Sequence, residues 1–117
     1  MIFLEQANHY GTLFGGTPLS LMGKAAFVAA NRHARAAMVM AASERIEFHR
    51  AVPVGKFVEL HALVIREERS SLTVEVAMTA ESLTSCKHFL AANGHFKMVC
   101  IDESGKPLPI RPHSVVT

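Results

Sequence analysis

The sequence predicts an α+β fold in which an antiparallel β-sheet wraps around one central α-helix. Three observations lead to this prediction: a nearly uncharged helix lies near the start of the chain, four long strand segments follow it, and short turns join those strands. Short turns favour antiparallel neighbours, and a helix that is apolar on most sides needs a curved sheet around it. The open edge of such a sheet invites a second copy to extend it, so we expect a homodimer.

Composition narrows the class of protein. The chain has 117 residues, which we interpret as one domain, 1–117, with an extended C-terminal tail at 103–117. A hydrophobic fraction of 50% with 19% charged residues is typical of a globular domain. A formal charge of +2 with scattered basic residues argues against a nucleic-acid partner. The two cysteines make no disulfide framework and no signal peptide is visible, so we expect a cytoplasmic protein.

The central helix is predicted over Pro18–His33. Thr17 suits the N-cap and Pro18 the first helical position, where the missing N–H is not needed. From residue 19 to 30, apolar side chains cover almost every face and Lys24 is the only charge. At roughly 24 Å this helix is too short to cross a bilayer. We therefore expect it to be buried on all sides, with no membrane partner.

The strands are predicted from alternation of apolar and polar residues and from turn residues. A short first strand, Ile2–Leu4, precedes a glycine-rich loop. Four long strands follow the helix: Met38–His49, Phe57–Arg66, Leu72–Glu81 and His88–Ile101. The alternation is clearest in the third of these, and Gly94 in the last indicates a bulge.

The loop before the helix carries Gly11, Gly15 and Gly16. The first N–H groups of a helix lack internal partners and carry the positive end of its dipole, so this loop is a natural seat for an oxyanion, a carbonyl oxygen or a phosphate. A tight turn into the helix explains the same glycines equally well. The spacing matches neither a P-loop nor a dinucleotide-binding fingerprint.

The run NHYGTLFGG followed by an apolar helix resembles the N-x-x-G-x-x-F-G-G signature of the hotdog-fold acyl-CoA thioesterases, the YciA-like acyl-CoA hydrolases. Three later segments agree with it: Arg45–Phe48 followed by Pro53–Gly55, Arg69–Leu72, and Asp102–Pro107. The resemblance implies a hotdog fold and hydrolysis of an acyl-CoA thioester to a carboxylic acid and free CoA. It also implies no cofactor or metal, and a homodimer or dimer-based tetramer or hexamer with its sites at the subunit interface.

The resemblance also implies which residues form the site. Asn8 would position the thioester carbonyl or the attacking water, and the Gly16 N–H would polarise the carbonyl; these are the two predicted catalytic residues. The predicted substrate-binding residues are His9, Phe14, Gly15, Gly23, Arg69, Ser70 and Ser71. Of these, Arg69, Ser70 and Ser71 would lie near the pantetheine or phosphates of CoA, where a guanidinium suits phosphate oxygens.

One departure from the family pattern concerns the catalytic carboxylate. The family's helix aspartate aligns with Gly23, and Lys24 follows it, so the usual base or nucleophile is missing. His9, Glu44, Glu47 and His49 are candidates to replace it. The alternative is a catalytically impaired acyl-CoA-binding or regulatory hotdog protein. A hydratase of the same fold is a third hypothesis, weakened because no hydratase Asp and His pair is visible.

Overall fold

A computed structural model describes residues 2–6, 16–50, 52, 57–81 and 88–110. Their elements are β1 Ile2–Gln6, α1 Gly16–Ala34, β2 Met38–Phe48, β3 Phe57–Glu67, β4 Ser71–Glu81 and β5 His88–Cys100. The strands form one sheet in the order β1-β3-β4-β5-β2, and every neighbouring pair is antiparallel. The predicted fold class is confirmed, and each predicted strand is present with ends shifted by at most two residues.

The ends of α1 differ from the prediction. The helix begins at Gly16, so Thr17 lies inside the first turn and its predicted N-cap role is wrong. Because the first N–H groups of a helix have no internal acceptor, Pro18 fits anywhere in that turn. The helix ends at Ala34, and the next residue, Arg35, adopts a left-handed φ of 54°. The Arg35 N–H still donates to the carbonyl oxygen of Asn31 at 2.8 Å.

Only one face of α1 is covered in the single chain. That face packs mainly on β3 and β4 and consists of small residues and one methionine: Met22, Ala25, Ala26, Ala29 and Ala30. On the opposite face Leu19 is 38% and Phe27 48% exposed. The expectation of burial on every side is therefore wrong for one protomer, because its sheet does not close around the helix. Within the described residues, no helix has the length and hydropathy that crossing a membrane requires.

The inner face of the sheet is built by strict alternation along β4. Its inward-facing residues are at most 1% exposed: Leu72, Val74, Val76, Met78 and Ala80. Gly94, on β5, lies opposite a bulge in β2 between Glu44 and Glu47. A Cβ on Gly94 would overlap the Cδ1 of Ile46, so the glycine makes room for the bulged strand. The predicted association of Gly94 with a bulge is confirmed.

The chain after β5 returns to the sheet instead of leaving it. Ile101 bridges Pro107, the Leu108 N–H donates to the Cys100 carbonyl oxygen, and the Ile110 N–H donates to the Arg69 carbonyl oxygen, the last two at 2.8 Å. Residues 103–105 of the predicted tail form a turn, and residues 107–110 run extended, fastened beside the turn between β3 and β4. Residues 111–117, the predicted turn at Pro53–Gly55 and the whole of 82–87 lie outside the described residues.

Candidate active site

An apolar groove of about 700 Å³ runs between the uncovered face of α1 and the start of β2. We call it the α1/β2 groove. Its described lining comes from the helix, from β2 and from the neighbouring strand β5: Leu19, Ser20, Gly23, Lys24, Phe27, Val28, Met40 and Met98. Clefts of this volume with mostly apolar walls are the usual sites for small ligands.

The groove exists because β2 is an edge strand. It pairs with β5 on one side only, and its side chains at Val39 and Met40 are 42% and 45% exposed. Gly23 widens the groove further, since it presents backbone where every other residue would present a side chain. Gly23 was predicted as a substrate-binding residue, but the opposite wall of the groove was not predicted, because Met40 lies near Gly23 only through the tertiary packing.

The described walls of the groove are mostly apolar and carry one charged side chain. Among its described lining residues Lys24 is the only ionisable one, and none is a carboxylate, a histidine or a cysteine. Lys24 is exposed. One protomer therefore offers an apolar channel with a single cation at its rim and no general base in the described part of the wall.

The predicted catalytic residue Gly16 is the first residue of α1. Its backbone belongs to the turn whose N–H groups lack internal acceptors, so a carbonyl oxygen placed there meets the positive end of the helix dipole. Gly23 lies two turns further along the same helix and lines the groove. The same helix thus supplies both the N–H groups at its start and one wall of the α1/β2 groove. Asn8, His9, Phe14 and Gly15 lie outside the described residues.

Arg69, Ser70 and Ser71 form the turn between β3 and β4 and the start of β4. Ser71 is buried, Arg69 is exposed, and the carbonyl oxygen of Ser70 accepts the N–H of Cys100 at 2.8 Å. This turn lies at the C-terminal end of α1, where the His33 Nε2 is 2.8 Å from the Glu67 Oε1. Since α1 is about 28 Å long, one protomer separates this turn from Gly16 by most of the helix.

The candidate replacement bases on β2 and directly after it do not line the groove within one protomer. Glu44 pairs in register with His95 and Glu47 with Asn93, on the face of the sheet turned away from α1. His49 is exposed and its Nε2 is hydrogen-bonded to the Asn93 Oδ1. The structure therefore places Glu44, Glu47 and His49 away from Gly23. None of these three candidates belongs to the described lining of the groove.

Sequence reasoning missed a polar pocket of about 300 Å³ on the outer face of the sheet. Its described lining is Glu44, Arg45, Ile65, Arg66, Thr73 and His95. Arg45 has a left-handed φ of 55° within the β2 bulge, and the His95 Nε2 lies 3.2 Å from the Glu75 Oε2. No motif marks this pocket, because its residues come from four strands. Across the described residues there is no cluster of three or more potential metal ligands.

The fold and the groove define a thioesterase-like hotdog domain, and comparison with known proteins specifies the family. Residues 10–87 match the family model described as the Thioesterase superfamily. The chain is 33% identical over 105 residues to an uncharacterized acyl-CoA thioester hydrolase of Zymomonas mobilis, covering 90% of this chain and 70% of that protein. The chain therefore belongs to the thioesterase superfamily.

Several solved structures are also similar to this chain. An acyl-CoA hydrolase from Agrobacterium tumefaciens has a TM-score of 0.84 and 40% identity, with 94% of this chain and 45% of that one covered. For an acyl-CoA hydrolase from Staphylococcus aureus in complex with coenzyme A, the TM-score is 0.87 at 28% identity. The match covers 94% of this chain and 69% of that one. A hexameric acyl-CoA thioesterase has a TM-score of 0.88 at 31% identity. The match covers 98% of this chain and 79% of that one. The chain thus spans less than half of the Agrobacterium protein.

The Staphylococcus aureus hydrolase has also been studied with bound ligands and as variants. One structure of it contains butyryl coenzyme A. Three variants replace one residue each by alanine: an asparagine, an aspartate and a threonine.

Proposed function

We propose that this protein hydrolyses acyl-CoA thioesters to a carboxylic acid and free CoA. The observation that supports this most is the apolar α1/β2 groove, which runs along the helix beginning at Gly16, in a chain whose relatives are acyl-CoA thioester hydrolases. The groove would take the acyl chain. The free N–H groups at the helix start would polarise the thioester carbonyl, and such preorganised donors often contribute most to acyl transfer.

The residues altered in the Staphylococcus aureus variants have the same sequence spacing as Asn8, Gly23 and Met40 of this chain. In our proposal the corresponding positions of this chain keep the asparagine, as Asn8, and carry Gly23 and Met40 where that relative has its aspartate and threonine. In our proposal Asn8 orients the attacking water, and the base that activates it comes from outside the described groove walls. His9 and residues of a second copy are the sources we consider.

We propose that the active unit is a homodimer formed through β2, with the sites at the subunit interface, and that dimers associate further into tetramers or hexamers. β2 ends the sheet, and it carries three exposed large hydrophobic side chains, Val39, Met40 and Phe48. A second β2 paired along this edge would extend the sheet and cover those side chains. Because most of α1 separates the Arg69–Ser71 turn from Gly16 in one protomer, we propose that the turn near CoA comes from a second protomer.

A second candidate function is acyl-CoA binding without efficient hydrolysis. The observation that favours it is the absence of a carboxylate, histidine or cysteine from the described lining of the groove. Binding needs the apolar walls and the helix start, both of which are present, whereas rapid hydrolysis also needs an activated water. In the first case coenzyme A is part of the substrate, and in the second it is part of the bound ligand; in neither is it a cofactor. We place the protein in the cytoplasm, consistent with its free, buried Cys100.

The test is the release of CoA thiol from a panel of straight-chain acyl-CoAs by the parent protein and by Asn8→Ala. Hydrolysis predicts saturable thiol release by the parent and a loss of at least tenfold in kcat in Asn8→Ala. Asn31→Ala is the matched control, because Asn31 lies near the far end of α1 and its side-chain amide donates to the Phe27 carbonyl oxygen of its own helix. Tight CoA binding without thiol release would establish the second function, and neither binding nor release would refute both.

A further inference from the structure

Gly23 and Met40 face each other across the α1/β2 groove. A Cβ built on Gly23 would lie 3.1 Å from the Cε of Met40, closer than carbon atoms normally approach. Any side chain at position 23 would therefore require the methionine to move by a few tenths of an ångström. The methionine side chain projects to the place where such a side chain would begin.

Of the three positions that share the spacing of the Staphylococcus aureus variants, these two carry a different residue type in this chain. An aspartate and a threonine form a polar pair, whereas a glycine and a methionine form an apolar one. The two departures compensate for each other in volume, since Met40 fills part of the space that a side chain at Gly23 would occupy. Loss of the aspartate alone does not explain why position 40 carries a methionine, which is larger and more apolar than threonine.

We propose that Gly23 and Met40 are a matched pair, in which Met40 supplies an apolar wall for the acyl chain where the relative carries its aspartate. The inference rests on the proposed function and specifies its substrate class: acyl groups that are apolar where they pass Met40. Met40 is then a specificity-determining residue of the groove. An aspartate introduced at position 23 alone is then not sufficient to restore general-base catalysis.

The reason is both steric and electrostatic. An aspartate at position 23 would push against the Met40 Cε, and its carboxyl group would lie between the apolar walls at Phe27 and Met98, with the exposed Lys24 as the one charge in the described lining. Apolar surroundings disfavour the ionised form of a carboxyl group, and a general base must be ionised to accept a proton. A threonine at position 40 would remove the crowding and give the carboxylate a hydroxyl neighbour.

A stability cycle tests the pair without any substrate. In a half-exposed helix position, replacing glycine by alanine ordinarily stabilises. We expect Gly23→Ala to leave the Tm unchanged or lower it in the parent, and to raise it by several degrees when Met40→Ala is also present. Ile65→Ala is the matched control background, because Ile65 is also 45% exposed but lies on β3 outside the groove. An identical Tm change in all three backgrounds would overturn the proposal.

A binding measurement tests the apolar wall. The probe is S-octyl-CoA, a thioether that cannot be hydrolysed, and its Kd is measured by calorimetry. Met40→Thr should raise the Kd about three- to tenfold, since apolar contact with the alkyl chain is lost, while Ile65→Thr should leave it unchanged. An unchanged Kd in Met40→Thr would contradict the role of Met40.

An activity cycle compares the parent with Gly23→Asp, Met40→Thr and the double variant. We expect the double variant to exceed the kcat of Gly23→Asp at least tenfold and to gain an acid limb in its pH–rate profile. A double variant no faster than Gly23→Asp would contradict the pairing. If no variant releases thiol and none binds S-octyl-CoA, the proposed function is wrong, and the stability cycle still decides whether the two residues are matched.

Discussion

At the scale of single residues, Gly94 shows how one missing side chain permits the local geometry of the sheet. A Cβ at this position would overlap the Ile46 Cδ1 and lie 3.3 Å from the Ile46 Cα, which belongs to the backbone of β2. A side-chain atom can rotate away, but the backbone of a paired strand cannot. Gly94 is thus required by the bulge on the neighbouring strand.

Gly94→Ala should lower the free energy of unfolding by about 1–3 kcal/mol, the usual range for overpacking a core. Ile46→Val removes the Cδ1 and should recover part of that loss in the double variant, while the contact with the Ile46 Cα remains. Denaturant unfolding of the two single variants and the double variant measures the coupling. Purely additive losses would show that Ile46 is not the obstacle.

Asp102 organises the turn after β5. Its Oδ1 accepts the Ser104 hydroxyl at 2.7 Å, the Ser104 N–H at 2.8 Å and the Lys106 N–H at 2.9 Å. These hydrogen bonds, led by that from the Ser104 side chain, lower the pKa of Asp102 below its ordinary value. The carboxylate therefore stabilises the fold above its unfolded-state pKa, and this stabilisation is lost as the pH falls through the lower, folded-state pKa.

Asp102→Asn should accordingly lower the Tm at pH 7 and have a smaller effect at pH 3, which lies below the ordinary pKa of an aspartate side chain. Thermal unfolding of both proteins across this pH range makes the comparison. Glu103→Gln is the control, since Glu103 is an exposed neighbour in the same turn. An equal difference in Tm at both pH values would exclude the ionised Asp102 as the cause.

At the scale of elements, the C-terminus of α1 is strained. Helices commonly end with glycine in the left-handed conformation, but here Arg35 adopts it with a φ of 54°. Arg35→Gly should raise the free energy of unfolding by about 0.5–1 kcal/mol, because relief of left-handed strain exceeds the added backbone entropy of glycine. Arg35→Ala, which keeps the Cβ, should give no gain in chemical denaturation. A gain in Arg35→Ala equal to that in Arg35→Gly would contradict this reasoning.

The elements were the part of the structure that sequence predicted well. The alternation in Leu72–Glu81 follows from one buried face, and that periodicity is local. The start of α1 was misplaced because Thr17 and Pro18 satisfy a helix start equally well inside the first turn. The exposure of Phe27 could not be predicted, because it depends on how far the sheet curves around the helix. The contact between Gly23 and Met40 was missed for the same reason: it joins a helix to a strand that is distant from it in the chain.

At the scale of the whole molecule, the free edge at β2 determines how the protein assembles in our proposal. Phe48 is 53% exposed on this strand. Phe48→Lys should shift the protein to smaller species in analytical ultracentrifugation, because a lysine at a strand edge opposes pairing with a second edge. Leu63→Lys, an exposed position on β3, is the control and should leave the dimer intact. Dissociation by Leu63→Lys but not by Phe48→Lys would place the interface elsewhere.

The central claim is that the α1/β2 groove holds the acyl chain of a CoA thioester with its carbonyl near the start of α1. A crystal structure of the full chain with S-octyl-CoA tests it most directly. We expect the alkyl chain to lie between Gly23 and Met40, with the sulfur directed towards Gly16. An alkyl chain bound anywhere else, with the groove left empty or filled by a second copy of the chain, would contradict it.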